Sequence, residues 1–120
     1  MTDWMPVGST DMLTDGQMRE INVDGQSVLL ARVEGAYYAT QALCPHLAGH
    51  LARGELEGYI VMCPRHHSQF DVRDGHNIEW IPKVPRLART LAQVVKKPTD
   101  LQTFPVRIED GQVWVRLDGQ

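Results

Sequence analysis

Short apolar runs broken by acid-glycine pairs set the pattern of this chain. The runs cover 27–33, 37–40, 59–62, 106–108 and 113–117, and the pairs are Asp15-Gly16, Asp24-Gly25, Glu34-Gly35, Asp74-Gly75 and Asp110-Gly111. Runs of this length, rich in β-branched, aromatic and aliphatic residues and bounded by turn signals, read as strands. Glycine supplies the positive φ that tight hairpin turns need. In the last run Val113, Val115 and Leu117 alternate with Trp114 and Arg116, which places three aliphatic side chains on one face of a sheet. The pattern predicts an all-β chain, an antiparallel β-sandwich or barrel.

One segment breaks the alternation. Leu87, Leu91, Val94 and Val95 fall at the i, i+4, i+7 and i+8 spacing of one helical face, after Pro85 and before Pro98. Lys96 and Lys97 suit the negative end of the helix dipole. The spacing predicts one inserted amphipathic helix over about 85–97.

At 120 residues the chain has the size of a single domain, 1–120, with no room for a second catalytic one. No apolar run approaches the eighteen or so residues that span a bilayer, and no leader pattern opens the chain, so no membrane partner is expected. The formal charge of −3 is uneven: residues 1–60 carry eight acids and three bases, whereas 61–120 carry seven acids and nine bases. Lys83, Arg86, Arg89, Lys96 and Lys97 lie in a stretch without a carboxylate. Such a patch suits a solvated helix face or an acidic protein partner. The negative total and the scarcity of aromatics within the patch argue against a nucleic-acid partner.

The chemistry concentrates in two short segments, Cys44-Pro45-His46 and Cys63-Pro64-Arg65-His66, with sixteen residues between His46 and Cys63. Each segment offers one thiolate and one imidazole. A Cys/His zinc finger groups its cysteines together and its histidines together. A cluster with one thiolate-ligated and one imidazole-ligated iron can instead draw one ligand of each kind from each of two loops. A structural zinc module using the same four residues is the alternative from the residues alone.

The stretch from Cys44 to Asp71 resembles the Rieske 2Fe-2S signature, with both ligand loops and the hairpin between them. Looser likeness extends to Trp4-Met5-Pro6-Val7-Gly8, the Asp24-Gly25 and Glu34-Gly35 turns, and Phe104-Pro105-Val106 with Asp110-Gly111. The resemblance implies a Rieske-like fold with a cluster-binding subdomain, loops at about 42–75, and a helical insertion at about 76–98. It implies one 2Fe-2S cluster per chain, with Cys44 and Cys63 on the inner iron and His46 and His66 on the outer one. A ferredoxin of this kind is an electron-transfer component and not an enzyme. It passes electrons from a flavin-dependent reductase to a terminal oxygenase; the alternative partner is the large subunit of an assimilatory nitrite reductase.

Several departures from the family pattern refine this expectation. Respiratory and photosynthetic relatives clamp their loops with two further cysteines, and Ala48, Gly49 and Arg65 occupy that neighbourhood here. With both cysteines claimed by the cluster and none left for a disulfide, a cytoplasmic location is expected. Ser68 matches a hydroxyl donor of high-potential relatives, whereas Phe70 stands where those relatives carry a tyrosine. His67 replaces a glycine common in the family, and His50 and His76 read as loop side chains.

Overall fold

The structure, a computed structural model, describes residues 4–45, 49–65, 67–79 and 99–117. Eleven strands form among them: β1 Met5–Ser9, β2 Met18–Val23, β3 Gln26–Val33, β4 Ala36–Gln41, β5 Glu55–Glu57, β6 Ile60–Met62, β7 Gln69–Asp71, β8 Asn77–Glu79, β9 Thr103–Phe104, β10 Val106–Glu109 and β11 Gln112–Val115. They make three antiparallel sheets, ordered β1-β11-β10, β2-β3-β4-β9 and β5-β6-β7-β8. The expected all-β antiparallel fold is present. The expected helix over 85–97 lies outside the described residues. The expected insertion from about residue 76 opens on β8, whose Asn77 and Glu79 pair with Phe70 and Gln69 of β7.

Three of the acid-glycine pairs form the hairpins that pattern reading assigned to them. Asp24 and Gly25 have φ of 50° and 86°, Glu34 and Gly35 of 51° and 81°, and Asp110 and Gly111 of 54° and 73°. Positive φ at both central residues is the two-residue turn whose twist matches that of the flanking strands. The pairing Val23 with Gln26, Val33 with Ala36 and Glu109 with Gln112 closes each turn.

β3 explains how the three sheets pack, because it carries a core on each of its faces. Its Val28 and Leu30 enter one apolar cluster with Leu13, Tyr37, Phe104, Val113 and Val115. Its Leu29, Ala31 and Val33 enter another, with Leu51, Val61, Phe70, Val72, Leu101 and both cysteines. A strand buried on both faces needs a continuous apolar run rather than alternation, and Val28-Leu29-Leu30-Ala31 supplies it. Val113 and Val115 share a buried face as expected, while Leu117 packs on the same cluster from beyond the strand. The cysteines thus sit in the second core, between the small β5-β6-β7-β8 sheet and the β2-β3-β4-β9 sheet that forms its base.

Candidate metal centre

Each cysteine stands at the neck of a loop closed by its own backbone. Cys44 N–H donates to the Gly49 carbonyl at 2.8 Å, and Cys63 N–H donates to the Ser68 carbonyl at 2.9 Å. The two loops are therefore cut to one size, with a cysteine amide bonded to the carbonyl five residues on. A bridge between Leu43 and His50, and a bond from Leu51 N–H to the Ala42 carbonyl at 3.0 Å, continue the first neck. Loop 1 then runs into a single 3₁₀ turn, Leu51–Arg53, whose fully buried Leu51 anchors it in the core. Gly54 follows because the chain passes against β6: a Cβ there would lie 1.8 Å from the Met62 carbonyl oxygen.

Both thiols are buried, each residue 2 % exposed, within the same apolar cluster. Gly49 brings the loops together. A Cβ built on it would lie 3.1 Å from Cys63 Sγ, so the bare backbone of loop 1 passes beside the sulfur of loop 2. Two thiols set in one apolar surround, at the necks of two matched loops, fit a centre with softer ligands than oxygen. Of the four expected ligands, the fold brings Cys44 and Cys63 to this place, and His46 and His66 lie outside the described residues.

The residues expected to tune the centre are at its base. Ser68 is 1 % exposed, and Phe70 is fully buried. His67 has φ of 62° and is half-buried. That left-handed backbone is one a glycine adopts without cost. His50 is drawn away from a simple loop role: its Nδ1 lies 2.7 Å from Glu20 Oε1 on β2. This contact ties loop 1 to the base sheet.

A charged clasp completes the framework, and sequence reading passed over it. Asp71, 3 % exposed, accepts from Arg73 N–H at 2.8 Å and Nε at 3.0 Å through Oδ1, and from Nη2 at 2.7 Å through Oδ2. The hydrogen bonds from the Arg73 side chain hold the Asp71 carboxyl below the usual carboxylate range. The guanidinium lies 4.0 Å from the centre of the Tyr59 ring, which meets Tyr38 edge-on at 6.0 Å. Tyr59 donates its hydroxyl to Glu34 at 2.7 Å, and that bond raises the phenol above its ordinary value. The clasp runs from the β7 end of the small sheet to the β3–β4 turn of the base. His76 Nδ1 pairs with Asp74 Oδ1 at 2.6 Å, which raises the imidazole above its ordinary value. Nothing at Asp71, Arg73 or Tyr59 stands out from the sequence except their adjacency to turns; the clasp exists only after β6 and β7 pair.

A family model of the Rieske 2Fe-2S domain matches residues 3–105. The chain belongs to the Rieske family. Its cofactor is accordingly a 2Fe-2S cluster and not the zinc ion of the alternative reading. Among its relatives, the ferredoxin component of the naphthalene 1,2-dioxygenase/salicylate 5-hydroxylase systems of a Ralstonia species is 31% identical over 116 residues, spanning 97% of either chain. The ferredoxin component of the naphthalene 1,2-dioxygenase system of Pseudomonas aeruginosa is 32% identical over 114 residues, 95% of either chain. A solved chain from the complex of reduced oxygenase and oxidized ferredoxin in carbazole 1,9a-dioxygenase superposes with a TM-score of 0.74 at 26% identity, covering 92% of this chain and 99% of that one. Among the described residues no helix is long and apolar enough to cross a membrane.

Proposed function

We propose that this Rieske protein is a one-electron carrier that accepts electrons from a flavin-dependent reductase in the cytoplasm and delivers them to a terminal oxygenase. The observation that carries the reading is end-to-end correspondence with stand-alone ferredoxin components, 97% of both chains in the Ralstonia case.

Residues 1–120 form one domain in this reading, with ligand loops at about 42–75 and an insertion reaching to about residue 98. Cys44 and Cys63 hold one iron and His46 and His66 the other. The bound cluster supplies a single reversible electron step, favoured by neutral imidazoles in place of two anionic thiolates. The protein's part is to fix the loop necks through Cys44, Gly49, Cys63 and Ser68, and to exclude water from the thiolate side by Leu51, Val61, Phe70 and Val72. It turns over no organic substrate.

Reconstitution tests the assignment. Purified protein, a flavin reductase with NADH and a Rieske-type terminal oxygenase are mixed, and product formation is followed with each component omitted in turn. Oxygenase turnover that depends on this chain supports the proposal. Reduction of the chain without any transfer to the oxygenase, together with transfer to a nitrite reductase large subunit, would move it to the alternative pathway.

A further inference from the structure

Gly49 and Arg65 are sixteen residues apart and lie on different loops, yet they are in contact. A Cβ on Gly49 would sit 3.1 Å from Arg65 Cγ, 3.2 Å from Arg65 Cδ and 3.1 Å from Cys63 Sγ. Gly49 is not among the glycines with positive φ, so its lack of a side chain, and not conformational freedom, is what this place uses. Arg65 is exposed as a residue while Cys63 beside it is buried. A long cationic side chain commonly lays its methylenes on a surface and leaves its charged head in water.

We infer that Arg65 is a positioning residue for the electron-transfer centre: its Cγ–Cδ stem, seated on the bare backbone of Gly49, latches the two cysteine loops together and keeps water from the Cys63 sulfur. The inference rests on the cluster reading above. Two features of the geometry support it. Each loop closes its own neck, through Cys44 to Gly49 and Cys63 to Ser68, but those bonds do not join one loop to the other. The Gly49–Arg65 contact does, and it does so beside the thiol. The stem and not the charge makes the contact, since the atoms involved are the two methylene carbons.

That distinction gives the test. Arg65→Met keeps an unbranched apolar stem and removes the charge; Arg65→Ala removes both. Loss of visible absorbance from the purified holoprotein in excess iron chelator should be about tenfold faster in Arg65→Ala than in wild type, the order expected for uncovering two methylenes of apolar contact. Arg65→Met should stay within about twofold of wild type. The Arg65→Ala midpoint potential should lie above that of Arg65→Met, because the two have lost the same charge and only the former admits water to the thiolate side. Equal cluster lifetimes and equal potentials in the two variants would overturn the latch. Wild-type protein without iron and acid-labile sulfide would overturn the cluster reading instead. In that case alkylation of the metal-free chain by iodoacetamide decides: Arg65→Ala should speed labelling of Cys63 and leave Cys44 unchanged, and unchanged labelling of Cys63 would end the proposal.

Discussion

Replacing Asp71 by Asn probes the clasp between the cluster-bearing sheet and the base. The carboxylate accepts three hydrogen bonds from Arg73, two at Oδ1 and one at Oδ2. An amide in the same place keeps an oxygen for the first two and turns an N–H donor toward Nη2. The lost bond is one to a charged group, worth about 1.5–3 kcal/mol where both partners are dry. Arg73 is not dry, with its side chain 53% exposed, so water recovers part of this. The expected cost is about 1–2 kcal/mol, or roughly 4–8 °C in the melting temperature of a domain this size. Thermal unfolding followed by far-UV circular dichroism at pH 7, 5, 4 and 3 measures it. Asp71 has its pKa lowered by Arg73, so its contribution is fully present above the ordinary carboxylate value of about 3.9 and is lost as pH falls through the lower folded value. The gap between wild type and Asp71→Asn should therefore hold from pH 7 to about 4 and close below that. A gap under about 1 °C at pH 7, or one that persists undiminished at the lowest pH, would refute the assignment of the stability to this ion pair.

Cys44→Ser or Cys63→Ser should abolish the red-brown absorbance, and His67→Ala should leave it; His67→Gly, which relieves a left-handed backbone at φ 62°, should keep both absorbance and stability, as read from visible spectra and melting curves. Gly75→Ala should cost more than about 3 kcal/mol, because its Cβ would lie 2.2 Å from the Leu101 carbonyl oxygen at φ 81°, whereas Gly25→Ala, strained at φ 86° but with open space around it, should cost about 1–2 kcal/mol; urea unfolding of the pair separates clash from backbone strain. The midpoint potential at neutral pH should fall between roughly −150 and +75 mV, with Ser68→Ala lowering it and Phe70→Tyr raising it; voltammetry giving a wild-type value above about +200 mV would contradict a ferredoxin-type centre.

Local chemistry is legible before folding. The β-hairpins at Asp24-Gly25, Glu34-Gly35 and Asp110-Gly111 follow from residues that tolerate positive φ, and the strands between them from apolar runs. The mixed Cys/His pairs read as a metal centre because ligand identity is written in the side chains themselves. The strands that pattern reading left unassigned, β1, β2, β5, β7, β8 and β9, are short or weakly alternating: β1 contains Pro6 and Gly8, β2 reads Met-Arg-Glu-Ile-Asn-Val, β5 is Glu-Leu-Glu, and β7 opens at Gln69. Three residues carry too little periodicity to register, and such strands exist because a partner strand supplies their hydrogen bonds.

The sequence by itself determined the hairpin turn positions and the all-β character, since each depends on a residue and its immediate neighbours. Only the tertiary structure decided that β3 is buried on both faces between two cores, that His50 reaches Glu20, that Asp71 and Arg73 clasp Tyr59, and that Gly49 meets Arg65 beside the Cys63 sulfur. These contacts join residues from 2 to 30 positions apart, the closest of them turned toward each other by the turn after β7. The energies involved are short-ranged, and nothing in the order of residues along a chain records which of them the pairing of strands will bring within reach.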